Sequence, residues 1–417
     1  MTDILIIGAG PAGSTAAAML VRRGFKVLVL EKQKFPRFSV GESLLAQTLG
    51  LIDEAGMLEP VLAAGFQFKN GAVFVRGKNY GEYNFVNKSA AGYGWTFEVP
   101  RADFDKVLID EAERIGAQVR YEVEITGADM SGGKPKITSK ARDGTLEVHH
   151  PKFVLDASGF GRTLPRLLDL EEPSTFPLRS ALFTQVYDHI PSGEFDRQKI
   201  RVVIHPTRQD VWYWLIPFSN GKVSIGCVAE ADFLKPRDGQ TPDDRLWELV
   251  GEDADLKHLM RNRKPAMQVN YLKGYAANVK TMTGPGFALL GNAAEFLDPV
   301  FSSGVTIAMK SANMAVKLLE RQLKNGETID WKSEFEEPLR YGVETFRAFV
   351  TTWYDGRLQD IFFHQPQEPR VHRMVCSVLA GYAWDKDNHY TGPQALRRLS
   401  ALAHSCRSNH PPATAVA

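Results

Sequence analysis

Apolar and polar positions form distinct blocks in the first thirty residues, and these blocks predict two strands with a helix between them. Residues 4–7 form an uninterrupted apolar run, as expected of a buried strand, and residues 27–30 form a second. A glycine-rich turn over 8–13 and a helix over 14–23 are predicted between them, and Glu31 closes the second run. Strand, glycine turn, helix and a strand ending in an acid are typical of the βαβ unit that binds a dinucleotide.

Each small residue of the turn has a physical task. Gly8 allows the tight turn, Gly10 lets the backbone approach a pyrophosphate, and Gly13 lets the helix pack close to the sheet. The helix N-terminus offers free N–H groups and a positive dipole end to the phosphates. Glu31 can accept hydrogen bonds from ribose hydroxyls. The residues expected to bind the dinucleotide here are Gly8, Gly10, Ala12, Gly13, Glu31 and Lys32.

The composition of the chain mainly excludes classes of protein and of binding partner. The 417 residues suffice for two or three domains, and 44% hydrophobic with 24% charged residues is ordinary for a globular protein. A formal net charge of +1 gives no argument for nucleic acid or an anionic membrane as a partner. The three cysteines form no CxxC pair and no metal spacing, so we expect a cytoplasmic protein without a bound metal.

The two ends of the chain and its longest apolar runs bear on targeting. The N-terminus is predicted to be a strand rather than a signal peptide. No uninterrupted apolar run is long enough to span a bilayer. The tail His410 to Ala417 is expected to be disordered.

Two later segments resemble flavoproteins of the para-hydroxybenzoate hydroxylase fold. The first, residues 99–105, resembles a segment whose arginine, here Arg101, lies beside the cofactor. The second, residues 153–162, resembles a segment whose aspartate, here Asp156, lies near both cofactor and nicotinamide. A capped helix with a surface arginine and a plain strand-turn are the alternatives.

A third segment, residues 287–294, resembles the part of the same fold whose acid binds the ribityl chain. Here Asn292 follows Gly291 where those proteins usually have aspartate. An amide oxygen still accepts a hydroxyl, but without the charge. Three such segments in this order after the dinucleotide turn favour FAD as the cofactor.

The strand predicted over 210–217 contains two tryptophans. Because side chains alternate along a strand, Trp212 and Trp214 should share one face and Tyr213 the other. The segment matches the WxWxIP pattern of flavin-dependent halogenases, in which this wall is thought to keep substrate away from the flavin. A tryptophan-rich core strand is the alternative.

The segment 296–305 matches the FxxPxxSxG pattern, also associated with halogenases. There the loop lies over the flavin and binds halide through backbone N–H groups, which small residues leave accessible. A helix predicted to start near Val305 would add its dipole. The alternative is a helix cap by Ser302 or Ser303. The resemblance implies cofactor contacts from Pro299, Gly304 and Val305, and a halide site at Ser303 and Gly304.

Lys69 occupies the position at which halogenases carry their essential lysine. The alternative is a lysine on the solvent face of a strand, with Phe66 and Phe68 facing the interior. The segment 36–43 also fits the P-R…GES stretch of that family over the flavin edge, and this implies cofactor contacts from Arg37 and Ser43.

From Thr2 to about Lys324 the chain therefore resembles the flavin-dependent (FADH2-dependent) halogenases, within a group that includes geranylgeranyl reductase-like flavoproteins. The resemblance implies that reduced FAD and dioxygen give a C4a-hydroperoxide, and that chloride or bromide converts it to hypohalous acid. Lys69 would then hydrogen-bond this species, or form a haloamine with it, and so direct the halogen onto one carbon of an electron-rich aromatic compound. The catalytic residues so implied are Lys69, Trp212, Trp214 and Ser302.

One departure bears on the substrate. Tryptophan halogenases have a glutamate just before the serine of the SxG loop, where this chain has Phe301. Its absence suggests a phenol- or pyrrole-type substrate, which could be carried by an acyl carrier protein. Since no separate NAD(P)H motif is evident, a flavin reductase is expected to supply FADH2.

The resemblance implies an α/β (α+β) fold with a Rossmann-like FAD-binding domain. That domain would comprise residues 1–73, 96–177 and 273–330, with strands near 119–125, 136–141 and 146–155. An antiparallel-sheet substrate domain would comprise 74–95 and 178–272, and a helical region 331–417. In that region Trp353, Tyr354, Phe362 and Phe363 either pack in a core or line a substrate entrance.

Two other functions stay open from the sequence. An FAD-dependent monooxygenase or a geranylgeranyl reductase-like oxidoreductase would share the fold, which alone does not determine function. A non-catalytic flavin-binding protein is the other alternative, and Asn292 is the one feature that favours it.

Overall fold

The computed structural model describes residues 2–409 apart from 175 and 177, and these residues pack into two compact units. The first unit comprises residues 1–66, 99–176 and 276–340, and the second comprises 67–98, 177–275 and 341–417. The described residues 341–409 thus belong to the same unit as the large sheet, whereas the three-part division with a separate helical region stays a prediction. The tail from His410, expected to be disordered, lies outside the described residues.

Strands account for most of the ordered segments between residues 2 and 300. They are β1 Ile4–Ile7, β2 Val27–Glu31, β3 Gln67–Lys69, β4 Gly71–Arg76, β5 Asn79–Asn84, β6 Thr96–Glu98, β7 Gln118–Tyr121, β8 Val123–Asp129, β9 Lys136–Ala141, β10 Leu146–His149, β11 Phe153–Asp156, β12 Glu171–Glu172, β13 Arg179–Tyr187, β14 Lys199–Ile204, β15 Trp212–Pro217, β16 Lys222–Glu230, β17 Lys264–Pro265, β18 Asn270–Lys273, β19 Asn278–Val279, β20 Thr283–Gly284 and β21 Phe287–Leu289.

Helices follow the first strand, alternate with groups of strands along the chain and dominate the C-terminal part. They are α1 Pro11–Arg22, α2 Ala46–Glu54, α3 Leu58–Ala63, α4 Arg101–Arg114, α5 Thr163–Leu167, α6 Ala231–Leu234, α7 Pro242–Gly251, α8 Ala254–Leu259, α9 Ser303–Lys324, α10 Glu337–Tyr354, α11 Arg357–Phe363, α12 Pro369–Leu379 and α13 Ala395–Asn409.

The first unit is built on a mostly parallel sheet in the order β20-β21-β11-β1-β2-β7. Strand β1 pairs in parallel with both β2 and β11, and every residue of β1 is buried. A strand covered on both faces must be apolar throughout, as the run at 4–7 is. Helix α1 packs against α4 and α9. The predicted α/β class is confirmed.

Two of the predicted strands are each divided in the structure. The run 119–125 becomes β7 and β8, because Glu122 between them has a left-handed backbone (φ 57°) that no strand continues through. The run 146–155 becomes β10 and β11, with Pro151 between them. Proline cannot donate to a ladder, so it marks the break between strands that join two different sheets.

The second unit contains an eight-stranded sheet that is antiparallel except for the pairing of β14 with β4. One face of it packs on α7 and α8 through a cluster that includes Tyr213, Leu215 and Leu249. A separate two-stranded pair, β3 with β6, belongs to the same unit. Among the described residues, no helix combines the length and the apolar character needed to traverse a bilayer.

Candidate active site

The glycine turn of the first unit has the geometry that the sequence predicts. Gly8 has φ +94°, and a Cβ there would lie 2.7 Å from the Ala157 carbonyl oxygen. A Cβ on Gly13 would lie 2.0 Å from the Gly8 oxygen, so α1 could not pack as close to the turn with a larger residue. The N-terminus of α1, which begins at Pro11, leaves its first N–H groups without partners in the helix.

Glu31 is buried at the end of β2 and braces this turn. Its Oε2 accepts a hydrogen bond from the Ala9 N–H at 2.8 Å, and its Oε1 accepts one from the Gln33 N–H at 2.8 Å. Each carboxylate oxygen has a second lone pair for a ribose hydroxyl. The neighbouring Lys32 is different, because its ammonium is exposed and 2.7 Å from Glu124 Oε1.

Asp105 joins the two arginines predicted to lie at the cofactor. The buried carboxylate accepts from Arg101 Nε at 2.8 Å and Nη2 at 2.9 Å, and it lies 3.2 Å from Arg37 Nη1. Arg101 also donates to the Val40 carbonyl at 2.6 Å. The Asp105 carboxylate therefore fixes two guanidinium groups and the loop that carries Ser43. The sequence analysis assigned no role to Asp105, although its i,i+4 spacing from Arg101 on one helix is typical of an ion pair.

The predicted cofactor segments of the first unit come together. A Cβ on Gly10 would lie 3.3 Å from Arg37 Nη2, and one on Gly41 would lie 3.0 Å from Arg101 Nη1 and 3.9 Å from Val305. Farther along, a Cβ on Gly304 would lie 3.9 Å from Asn292 Oδ1. The dinucleotide turn, the 37–43 loop, the start of α4 and the SxG loop are thus neighbours within the first unit.

Two further predicted residues shape turns of the same unit. Asp156 is buried, and its oxygens accept from the Ser158 N–H at 2.9 Å and the Leu164 N–H at 2.7 Å. Burial raises the pKa of this carboxyl, and these hydrogen bonds oppose the rise. Gly291 has φ +53° and donates to Ser311 Oγ at 3.0 Å.

Arg162 is a buried residue of the site to which the sequence gave no individual signal. Its Nη1 donates to the carbonyl oxygens of Asn292 and Ala294, both at 3.3 Å, and its Nη2 donates to the Asn278 oxygen at 2.6 Å. The guanidinium gathers the carbonyls of the turn that presents the Asn292 side chain.

The SxG loop turns sharply into the longest helix of the first unit. A short 3-10 turn, Pro299–Phe301, precedes Ser302, which has a left-handed backbone with φ 55°, and α9 then begins at Ser303. Ser302 occupies the N-cap position of α9, as the alternative expected, but within the described residues its hydroxyl makes no capping hydrogen bond to the helix. The first-turn N–H groups, those of Ser303 and Gly304 included, remain available to an anion.

Taken together, these residues fit FAD. The turn has no room for a Cβ at Gly8 or Gly13, and the buried Glu31 carboxylate accepts a hydrogen bond from this turn. Farther along the chain, the Asn292 amide lies near the start of α9, whose first N–H groups can act as donors. Such a set suits a long ligand with phosphates at one end and a polar ring system at the other.

Lys69 in the second unit is fully buried, so the alternative of a lysine on a solvent face is wrong. The neighbouring Phe68 is the exposed residue of β3, with 40% of its surface accessible, and it stacks on Trp95. Lys69 Nζ lies 3.8 Å from Glu98 Oε1 and 5.5 Å from the centre of the Phe85 ring. Burial lowers the pKa of Lys69, and the Glu98 carboxylate counteracts this.

The two tryptophans of β15 share one face of the large sheet as predicted. Their ring centres are 6.0 Å apart, and both rings are buried. Trp212 Nε1 donates to Tyr354 Oη at 3.1 Å, and Trp214 Nε1 donates to Ser224 Oγ at 3.0 Å. Tyr213, on the opposite face, donates to the Leu249 carbonyl at 2.9 Å.

The aromatic residues of the C-terminal helices pack mainly as a core. Trp353 and Phe362 are inaccessible to solvent and lie against Phe74, with ring centres 5.7 and 4.3 Å away. Tyr354 is half-buried beneath the Arg179 guanidinium, which lies 4.4 Å from its ring centre. Of the four candidates for an entrance, Tyr354 and Phe363 retain some exposure.

Comparisons with known proteins agree with this geometry. The family described as FAD binding domain matches residues 1–329. The 1H-pyrrole-2-carbonyl-(peptidyl-carrier protein) chlorinase of Pseudomonas fluorescens is 30% identical over 410 residues, covering 91% of this chain and 89% of that protein.

Two solved structures are similar over nearly the whole chain. A flavoprotein/dehydrogenase from Cytophaga hutchinsonii is 42% identical with a TM-score of 0.92, covering 98% of this chain and all of the other. The myxobacterial chondrochloren halogenase, a variant of FAD-dependent halogenases, is 26% identical with a TM-score of 0.77, covering 99% of this chain and 98% of the other.

Proposed function

Because the chain belongs to the flavin-dependent halogenases, a family of FAD-binding oxidoreductases, we propose that it halogenates an electron-rich aromatic compound with chloride or bromide. The observation that carries the proposal is the buried ammonium of Lys69 beside Glu98. Withdrawing a lysine from water is costly, and such perturbed groups cluster at functional sites.

The first unit would hold the cofactor. The Gly8–Gly13 turn would receive the pyrophosphate, Glu31 the ribose, and Asn292 the ribityl chain. When bound, reduced FAD together with dioxygen supplies the oxidising power that converts halide to hypohalous acid. The N–H groups of Ser303 and Gly304 would hold the halide, since the start of α9 adds its positive dipole end.

In the second unit, Lys69 would donate a hydrogen bond to the oxygen of hypohalous acid. This polarises the oxygen–halogen bond, so that a ring carbon attacks the halogen. The carbon–halogen bond forms as the oxygen–halogen bond breaks, and the proton lost by the ring leaves as water with the released hydroxide. The indoles of Trp212 and Trp214 would form an apolar wall that keeps the aromatic substrate away from the flavin.

Two observations support a pyrrole or phenol substrate. The similar Pseudomonas enzyme acts on a pyrrole carried by a peptidyl carrier protein. Phe301 in this chain offers no carboxylate to assist removal of a ring proton, so an activated ring is the better match. The substrate would therefore be presented on a carrier protein or free, and a flavin reductase would deliver FADH2.

The test supplies the purified chain with reduced FAD from a flavin reductase, oxygen, bromide or chloride, and either simple phenols or pyrrole-2-carbonyl carrier protein. Wild type should form a halogenated product that depends on halide. Lys69→Met should lose at least about 100-fold in rate, the scale of removing one preorganised donor, while still binding FAD.

Lys199→Met is the matched control. Lys199 is also nearly buried in the second unit, but its ammonium pairs with Asp196 and Glu82. It should keep the halogenation rate of wild type. Full halogenation by Lys69→Met would contradict the role given to Lys69.

A second function is favoured by one observation, the 42% identity to a protein described as a flavoprotein/dehydrogenase. Under this alternative the chain would oxidise NADPH unaided or hydroxylate its substrate. Oxidation of NADPH without a reductase, or oxygenated product formed equally with and without halide, would support it against halogenation.

A further inference from the structure

We propose that Glu98 is a positioning residue for Lys69: its carboxylate holds the ammonium on the inner face of the β3–β6 pair and keeps it protonated. This inference rests on the proposed function, in which Lys69 directs hypohalous acid. It adds a residue for which neither the sequence patterns nor the family resemblance gave a role.

The strand register brings the two side chains together. In the β3–β6 pair Lys69 lies opposite Thr96, and Gln67 lies opposite Glu98. Lys69 and Glu98 are therefore diagonal neighbours on one face, a separation that long side chains can span. Their charged atoms, Nζ and Oε1, are 3.8 Å apart, and both residues are inaccessible to solvent.

Two uncharged side chains lie beside this pair among the described residues. Thr96 contributes a buried hydroxyl on the same face, and Phe85 contributes the ring that Nζ approaches. The Glu98 carboxylate is the charged group that acts on Lys69, and it opposes the lowering of the Lys69 pKa by burial. A buried cation of this kind is tolerated when a carboxylate compensates it.

The protonation state decides which chemistry Lys69 performs. An ammonium donates hydrogen bonds, whereas a neutral amine is a nucleophile that hypohalous acid would halogenate. By favouring the ammonium, Glu98 would commit Lys69 to hydrogen bonding rather than to haloamine formation. It would also keep the donor aimed along a fixed direction, because the carboxylate itself is held on a short strand pair.

The first test is the pH profile of halogenation. With Glu98→Gln, loss of a neighbouring opposite charge should move the alkaline limb of kcat to lower pH by about 1–3 units, with little change in KM. Glu98→Asp, which keeps the charge, should retain the wild-type limb. Glu82→Gln is the control, since Glu82 is a carboxylate of the same unit that pairs with Lys199. A Glu98→Gln profile that matches wild type would overturn the proposal.

The second test needs neither cofactor nor turnover. Melting temperatures of wild type, Lys69→Met, Glu98→Gln and the double variant form a cycle on the cofactor-free chain. If the two residues are coupled, the double variant should melt well above the temperature expected from adding the decreases of the two single variants. A Glu98→Gln chain that folds only when Lys69 is also replaced would show the same coupling. Strict additivity would contradict the pairing.

The two proposals fail in different ways. If wild type forms no halogenated product but the melting temperatures are coupled, the halogenase function fails and the pairing stands. If halogenation requires Lys69 while the cycle is additive and the pH limb does not move, the role of Glu98 fails and the function stands.

Discussion

At the scale of single residues, buried polar groups are held by partners from distant parts of the chain. Lys69 meets Glu98 across two strands, and Arg162 gathers carbonyl oxygens from residues more than a hundred positions away. Burying such groups costs free energy unless each is satisfied. Replacing one such buried polar residue at a time should therefore lower the free energy of unfolding by a measurable amount.

Gly226 tests the packing of the tryptophan wall. It pairs with Trp214 in the adjacent strand, and a Cβ there would lie 2.3 Å from Trp214 Cζ2. Gly226→Ala should therefore displace the indole and lower the free energy of unfolding by about 1–3 kcal/mol, as overpacking does. Urea unfolding followed by tryptophan fluorescence measures both effects.

Gly251→Ala is the matched control for that substitution. Gly251 ends α7 in the same unit, and a Cβ there would meet nothing within 4 Å. It should leave the unfolding free energy and the tryptophan emission near wild type. Equal behaviour of the two variants would show that Gly226 does not make room for Trp214.

A residue of the candidate site can be predicted from the sequence when the residues that reveal it lie close to it along the chain. Lys69, Trp212 and Trp214 were predicted as site residues because short patterns contain them. Glu98 was not predicted, because its contact with Lys69, twenty-nine positions away, exists only in one register of β3 with β6. Arg162 was missed for the same reason, since its acceptors come from segments that only the folded sheet brings together.

At the scale of elements, the glycine turn, β1 and α1 were predictable because their own sequence determines them. The start of α9 was predicted near Val305 and begins two residues earlier, after the left-handed Ser302. The breaks between β7 and β8 and between β10 and β11 were not expected, since alternating apolar and polar residues such as those at 119–125 do not reveal a change of sheet. The pattern of apolar positions thus predicts which elements form, whereas the pairing of strands in the folded chain determines where they end.

Helix α4 offers a test at this scale, because it anchors the 37–43 loop through Asp105. Asp105→Asn removes a buried charge that two arginines share. Breaking such a buried pair typically costs about 3–5 kcal/mol of unfolding free energy. FAD affinity should fall as well, since Arg101 would no longer hold the loop; denaturant unfolding and FAD titration measure the two effects.

Asp110→Asn on the same helix is the control. Asp110 is half-exposed and pairs with Lys106, so its replacement should change stability by less than about 1 kcal/mol. If Asp105→Asn bound FAD as tightly as Asp110→Asn, the loop would not depend on this carboxylate.

At the scale of the whole molecule, the chain passes five times between its two units. The residues that fit FAD come from three separate segments of the first unit, and Lys69, Glu98 and the tryptophans belong to the second. The proposed reaction divides accordingly: the first unit would hold cofactor and halide, and the second would direct the oxidised halogen. Removing one unit should therefore abolish directed halogenation.

The most direct test of this account follows where the oxidised halogen goes. Wild type and Lys69→Met are given reduced FAD, oxygen, bromide, the aromatic substrate and a freely diffusing trap for hypobromous acid. We predict that wild type brominates mainly the aromatic substrate, whereas Lys69→Met brominates mainly the trap at a similar total yield. Aromatic bromination by Lys69→Met at the wild-type rate, with the trap unreacted in both, would contradict the claim that this buried amine directs the halogen.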